Sequence, residues 1–112
     1  MADDAEPRRG EVWLVSFGSA VGGEIETSRP AVVVSNDMAN ARLNRLQVVP
    51  LSSQTDRIYP AETVVMLGLL RRKAMADQIA TVSKRRLLRR LGTLGSGDLD
   101  AVLRVMRIQL GI

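Results

Sequence analysis

The stretch "SRPAVVVSND", residues 28–37, opens with a guanidinium and a proline and runs directly into consecutive valines. An unbroken apolar run of β-branched residues predicts a strand over 29–35 that is buried on both faces. Pro30 has no N–H to give to a ladder, so it belongs at the start of that strand. Arg29 is thereby placed at the mouth of a hydrophobic core.

Working outward, "EVWLVSF" (11–17) alternates Val12 and Leu14 against Trp13, Val15 and Phe17, which predicts a first strand. Between it and Arg29, residues 18–28 carry three glycines and no periodicity, the pattern of a long loop. Downstream, the Asn-rich residues 36–44 read as a turn with a short helical piece. "RLQVVPLSS" (45–53) reads as a third strand in which Pro50 implies an edge or a bulge. Residues 61–67 and 77–82 supply a fourth and a fifth strand. "SKRRLLRRLG" (83–92) predicts a short helix, capped by Ser83 and stopped by Gly92. From Ser96 as N-cap, Leu99, Val102, Leu103, Met106 and Leu110 keep helical spacing, with Asp98 and Asp100 at the positive end of the helix dipole. The expected fold is mainly β with α, a small barrel of about five short strands with a short helix and a C-terminal helix. Residues 1–9 are expected to be a flexible polar leader, and residues 10–112 a single domain.

Composition narrows the chemistry. The 112 residues, 46% of them hydrophobic, suit one domain. The sequence has no Cys and no His. Disulfides, thiolate metal sites and the commonest general base are therefore excluded, and only carboxylates remain as metal ligands. The carboxylate pairs Asp3/Asp4 and Asp98/Asp100 fall at a leader and a helix start, so neither a metal nor a cofactor is expected. No apolar run is long enough to span a membrane and no signal peptide is evident, which points to the cytoplasm. The net charge of +4 favours an acidic partner. Arg71, Arg72, Lys73, Lys84, Arg85, Arg86, Arg89 and Arg90 crowd one region, read either as a polyanion-binding patch or as a solvated helix face. One Trp, one Tyr and one Phe are too few for repeated base stacking.

The blocks "RRGEVWLVSF", "GGE…SRPAVVVSND", "VVPLSSQ" and "ADQIATV", in this order and at these spacings, resemble the MazF/PemK family of toxin endoribonucleases. The resemblance covers roughly residues 9–112. It implies an SH3-like barrel with a C-terminal helix, acting as a homodimer whose grooves hold single-stranded RNA. It also implies metal-independent cleavage to a 2′,3′-cyclic phosphate and a 5′-hydroxyl, and neutralisation by a cognate antitoxin. The substrate is expected to be mRNA, with rRNA and tRNA as further candidates. DNA would be met only indirectly, through an antitoxin complex, and no membrane is involved.

By the same resemblance, the paired catalytic residues are Arg29 and Ser52, and the substrate-binding residues are Glu24, Asn36, Ser53, Gln54 and Gln78. Many members carry a loop serine where this chain has Gly23. Ser52 stands where Thr is common, which keeps the hydroxyl but loses the β-branching that fixes its rotamer. Each residue also has a plainer reading. Arg29 could be a structural arginine paired with Asp37 or Glu24, Ser52 a turn hydroxyl, Ser53 and Gln54 loop residues, and Gln78 a structural residue near a dimer interface. Two other functions fit the same barrel: a CcdB-like gyrase inhibitor and a non-catalytic RNA-binding module. CcdB-like chains end in Trp-Gly-Ile, whereas this one ends "QLGI", with Leu110 at the Trp position.

Overall fold

The computed structural model describes residues 6–18 and 27–112. Strand β1 (Glu11–Ser16) lies antiparallel to β2 (Ser28–Val33), with Val12 opposite Val32 and Ser16 opposite Ser28. The short helix α1 (Asp37–Arg42) leads into β3 (Arg45–Ser52), which pairs with β2 through Ala31–Pro50, Val32–Val49 and Val33–Val48. A hairpin of β4 (Glu62–Leu67) and β5 (Leu70–Met75) follows, then β6 (Ala80–Ser83), β7 (Leu87–Thr93) and the terminal helix α2 (Ser96–Leu110).

β3 is the hub of the sheet. One edge takes β2, and the other is shared: Arg45 to Val48 pair with β6, while Leu51 and Ser52 pair with β5. The remaining path runs β4-β5-β3-β2-β1-β7. Right-handed twist curls this sheet into a half-barrel until its end strands meet. A methyl group added at Gly92 of β7 would stand 3.2 Å from Cδ1 of Leu67 on β4, a tight approach that the Leu67 side chain would have to relieve by shifting.

The double burial read from the valine run is present. Ala31 and Val33 enter one apolar cluster with Trp13, Val15, Leu46, Val48, Val82 and Leu87. Val32 and Val34 enter the other, with Val12, Val49, Leu51, Val65, Ala74 and Val102 of α2. Trp13 is fully buried, and its indole N–H donates to Glu11 at 3.1 Å, so the ring brings no unpaired donor into the core.

Three expectations change. The sheet has seven strands, not about five. Residues 83–92 are not a helix: Ser83 does cap, accepting from the Arg85 N–H at 3.2 Å, but only a 3₁₀ turn at Lys84–Arg86, after which the chain is β7. Two bulges explain the misreading. Val12 faces Gly92 while Trp13 faces Arg90, and Leu14 faces Arg89 while Val15 faces Leu87. Leu91 and Leu88 are thus left out of register, and the apolar spacing no longer has period two. The stretch 70–75, to which the sequence assigns no strand, is β5, and residues 77–82 are divided between a 3₁₀ turn (Ala76–Gln78) and β6. The β4–β5 connection is two residues, with Gly68 at φ 60° supplying the conformation such a hairpin turn needs.

The helix α2 begins at Ser96 with Gly95 in the cap position, and Gly111 ends it at φ 70°, its N–H reaching the Arg107 carbonyl. Asp98 accepts from the Met66 N–H at 2.8 Å and so fastens the helix to β4. Near the N-terminus, residues 6–9 are tied down, although the sequence reads as a mobile leader through residue 9. Pro7 is buried, Glu6 pairs with Lys84 at 2.9 Å, and the Arg9 N–H donates to Asp37 at 2.7 Å. No helix among the described residues is long and apolar enough to cross a membrane.

Candidate active site

The site lies where β3 ends. The β2–β3 register, continued two residues past Ala31–Pro50, brings Arg29 level with Ser52. On the other edge, Ser52 faces Lys73 of β5, and one step further Arg72 comes level with Ser53. An open groove of about 390 Å³ results, lined by Ser28, Arg29, Pro30, Leu51, Ser52, Ser53, Gln54 and Arg72. A second groove of about 350 Å³ is lined by Phe17, Gly18, Thr27, Arg29, Pro50 and Gln78. Among the described residues, Arg29 alone lines both grooves.

Arg29 is half-buried and forms no ion pair or side-chain hydrogen bond among the described residues. Its plainer reading named Asp37 or Glu24; Glu24 lies outside the described residues, and the Asp37 carboxylate is occupied elsewhere. It accepts from the Arg9 N–H, from Arg8 Nη2 at 3.3 Å and from Asn40 Nδ2 at 3.2 Å. The Arg9 backbone N–H is the main reason its carboxyl is held below the usual aspartate range. The Asn40 amide and the Arg8 and Arg9 charges add to this, against an opposing desolvation effect. Among the described residues, then, no carboxylate occupies the Arg29 guanidinium, which lines both grooves.

Ser52 Oγ accepts from the Gln54 N–H at 3.1 Å. This local bond orients the hydroxyl, replacing part of the rotamer control lost with β-branching, and leaves its O–H proton free to donate. Gln54 and Ser53 line the same groove as Ser52. Gln78 lines the second groove, where its Nε2 rests 3.7 Å from Met75 Sδ. Asn36 lies beyond the far end of β2 and caps α1, accepting from the Ala39 N–H at 2.9 Å; neither groove includes it. Glu24 and Gly23 lie outside the described residues.

A buried ion pair supports the floor of the site. Lys73 Nζ meets Glu62 Oε1 at 2.9 Å, with side-chain exposures of 10% and 8%. Lys73 also donates to the Arg57 carbonyl at 3.0 Å and sits 5.4 Å from the Tyr59 ring centre, while Glu62 accepts from the Tyr59 N–H. The segment that continues from Ser53 and Gln54 is thereby pinned to β5. The basic run is thus not one uniform patch: Lys73, Lys84 and Arg90 are paired with Glu62, Glu6 and Glu11.

Arg72 is the groove residue that sequence reasoning missed. No signal marked it: "LRRKAM" sets three cations in a row, without the alternation that would show a strand. Among the described residues, no group of three or more carboxylates gathers as a metal site would require.

A half-barrel whose central strand ends in hydroxyls, with a guanidinium shared between two open grooves, has the features of a site for a phosphodiester. Residues 8–110 match the family described as PemK-like, MazF-like toxin of type II toxin–antitoxin systems. The chain is 38% identical to endoribonuclease MazF9 of Mycobacterium tuberculosis, across 94% of this chain and 97% of that one. It superimposes on a MazE–MazF crystal structure from Deinococcus radiodurans with a TM-score of 0.85 and 26% identity, covering 97% and 99% of the two chains. A mycobacterial endoribonuclease in complex with its cognate antitoxin gives a TM-score of 0.80 at 24% identity, with 95% and 96% covered. The chain belongs to the PemK/MazF toxin family, and its activity class is endoribonuclease.

Proposed function

We propose that the chain cleaves single-stranded RNA at the junction of the two grooves, with Arg29 and Ser52 acting on the scissile phosphate. The position of Arg29, lining both grooves beside an oriented Ser52 hydroxyl, carries this reading. An RNA strand crossing the site would put a nucleotide in each groove and the phosphate between them at the guanidinium. The ribose 2′-oxygen attacks phosphorus, the bond to the 5′-oxygen breaks, and the products are a 2′,3′-cyclic phosphate and a 5′-hydroxyl. Negative charge grows on the non-bridging oxygens, where the Arg29 fork and the Ser52 hydroxyl donate. Arg29 or water returns a proton to the departing 5′-oxygen. The proton of the 2′-hydroxyl passes to the Glu24 carboxylate or to solvent, because a guanidinium stays protonated and makes a poor base. Ser53, Gln54 and Gln78 face the flanking nucleotides, and no metal takes part.

The chain works in the cytoplasm as a homodimer and is silenced by a cognate antitoxin whose acidic segment competes for the basic groove. Leu69 at the β4–β5 turn is 97% exposed, and with Met66 and Leu70 it forms an apolar surface suited to an interface. Leu67 packs on the core instead. A clean monomer by sedimentation at micromolar concentration would remove the dimer.

The mechanism is tested by cleavage of a long, structure-poor RNA in EDTA with the 5′ ends mapped. Each aimed donor contributes about 2.7–4 kcal/mol to the transition state, so Arg29→Ala loses a hundredfold or more in rate. Arg29→Lys loses most of the activity because an ammonium lacks the two-pronged geometry. Ser52→Ala loses less, and Ser52→Thr is tolerated. Full cleavage by Arg29→Ala, with the fold intact by circular dichroism, would sink this mechanism.

A further inference from the structure

The proposed mechanism leaves Arg72 without a task. It is half-buried on the wall of the larger groove, and among the described residues it has no carboxylate partner. Its one hydrogen bond among the described residues, from Nη1 to the Arg71 carbonyl at 2.8 Å, restrains the side chain without neutralising it. Part of its stem is covered while the guanidinium stays in an exposed setting beside two serines, where an anion in the groove can reach it.

Topology sharpens the point. β3 ends in Ser52, with Ser53 next; Arg29 sits on the strand along one edge and Arg72 on the strand along the other. Two strand spacings separate these backbone positions, roughly 10 Å across the sheet. Arg29 comes level with Ser52 and Arg72 with Ser53, one residue on, and successive positions leave a sheet in opposite directions, so the two guanidinium forks would grip different phosphates of one strand.

We infer that Arg72 is a positioning residue that holds a phosphate flanking the scissile one, fixing how far the RNA strand is drawn into the groove. This deepens the reading of the site given above and rests on it. Arg72 touches no reacting atom, so its removal weakens binding and leaves the chemical step largely intact.

The test uses a single-stranded RNA spanning a mapped cut site, and the same oligonucleotide fully 2′-O-methylated so that it binds without being cut. With Arg72→Gln, binding of the methylated strand weakens roughly tenfold at low salt, the loss of one charge-assisted contact. The log–log salt slope becomes shallower by about 0.7. KM for the cleavable strand rises while kcat stays near its starting value. Arg72→Lys restores the slope, since it restores the charge. Arg104→Gln, which removes an exposed cation on α2, leaves slope and KM unchanged. An unaltered slope and KM in Arg72→Gln would overturn the inference, as would a loss confined to kcat. Arg29→Ala is run beside them: if it cleaves normally, the catalytic reading fails, whatever Arg72 does to the salt slope.

Discussion

Replacing Lys73 by Met tests the support beneath the site. The change keeps most of the side-chain volume and removes the ammonium that meets Glu62 at 2.9 Å. The carboxylate is then left with the Tyr59 N–H alone among its described partners, in a place where its side chain is only 8% exposed. The Arg57 carbonyl loses its donor as well. Breaking a buried pair on one side costs about 3–5 kcal/mol, because the remaining charge stays desolvated and unpaired. For a domain of this size each kcal/mol moves the midpoint by roughly 4 °C, so Tm falls by about 12–20 °C. Thermal unfolding by circular dichroism, at one fixed protein concentration, reads this directly. Lys73→Met with Glu62→Leu removes both charges and regains most of the loss. A single-variant cost below about 1 kcal/mol, or a double variant no better than the single, would refute the claim that this pair is a buried and coupled charge.

Two further outcomes follow from geometry already described. Leu87 is 2% exposed and Leu88 is 42% exposed, so Leu87→Ala costs about 2–5 kcal/mol and Leu88→Ala under about 1. Equal costs in urea denaturation would contradict the β7 register. Asp37 has a folded value below its unfolded one, so its contribution is complete above the unfolded pKa of about 3.9 and is lost as pH falls through the lowered folded value. Asp37→Asn therefore lessens the acid loss of stability below about pH 4, and identical pH–stability profiles for the two proteins would exclude this carboxylate as a contributor.

Strands β1 to β3 were legible because their apolar residues either alternate or run unbroken, and α2 because its apolar stripe keeps helical spacing. β5 was hidden, since Arg71 and Lys73 alternate with Leu70, Arg72 and Ala74, and charge sits where a buried strand normally shows none. Only the paired Glu62 makes Lys73 tolerable there, a contact that sequence order does not display. β7 failed for a different reason: two bulges erased its period. The site divides along the same line. Arg29 and Ser52 stand in recognisable blocks at strand ends, whereas Arg72 reaches the groove only because an unseen strand pairs with β3.

Burial of β2 on both faces has a consequence for accuracy of assembly. A strand with one wet face resists sliding, because a one-residue slip would turn its apolar side chains into water. Ala31 to Val34 are apolar at every position, so the core itself would accept such a slip with little protest. Alignment must come from the ends: Pro30, which cannot donate to a neighbour, and Gln47, which exchanges its carbonyl with the Val34 N–H and its N–H with the Ser35 hydroxyl, each at 3.0 Å. A chain misaligned by one place would keep apolar residues in both clusters but turn Arg29 to the other side of the sheet, away from Ser52. The polar punctuation around the valines thus acts as a proofreading mark, tying the geometry of the groove to a strand registration that hydrophobic packing alone does not provide.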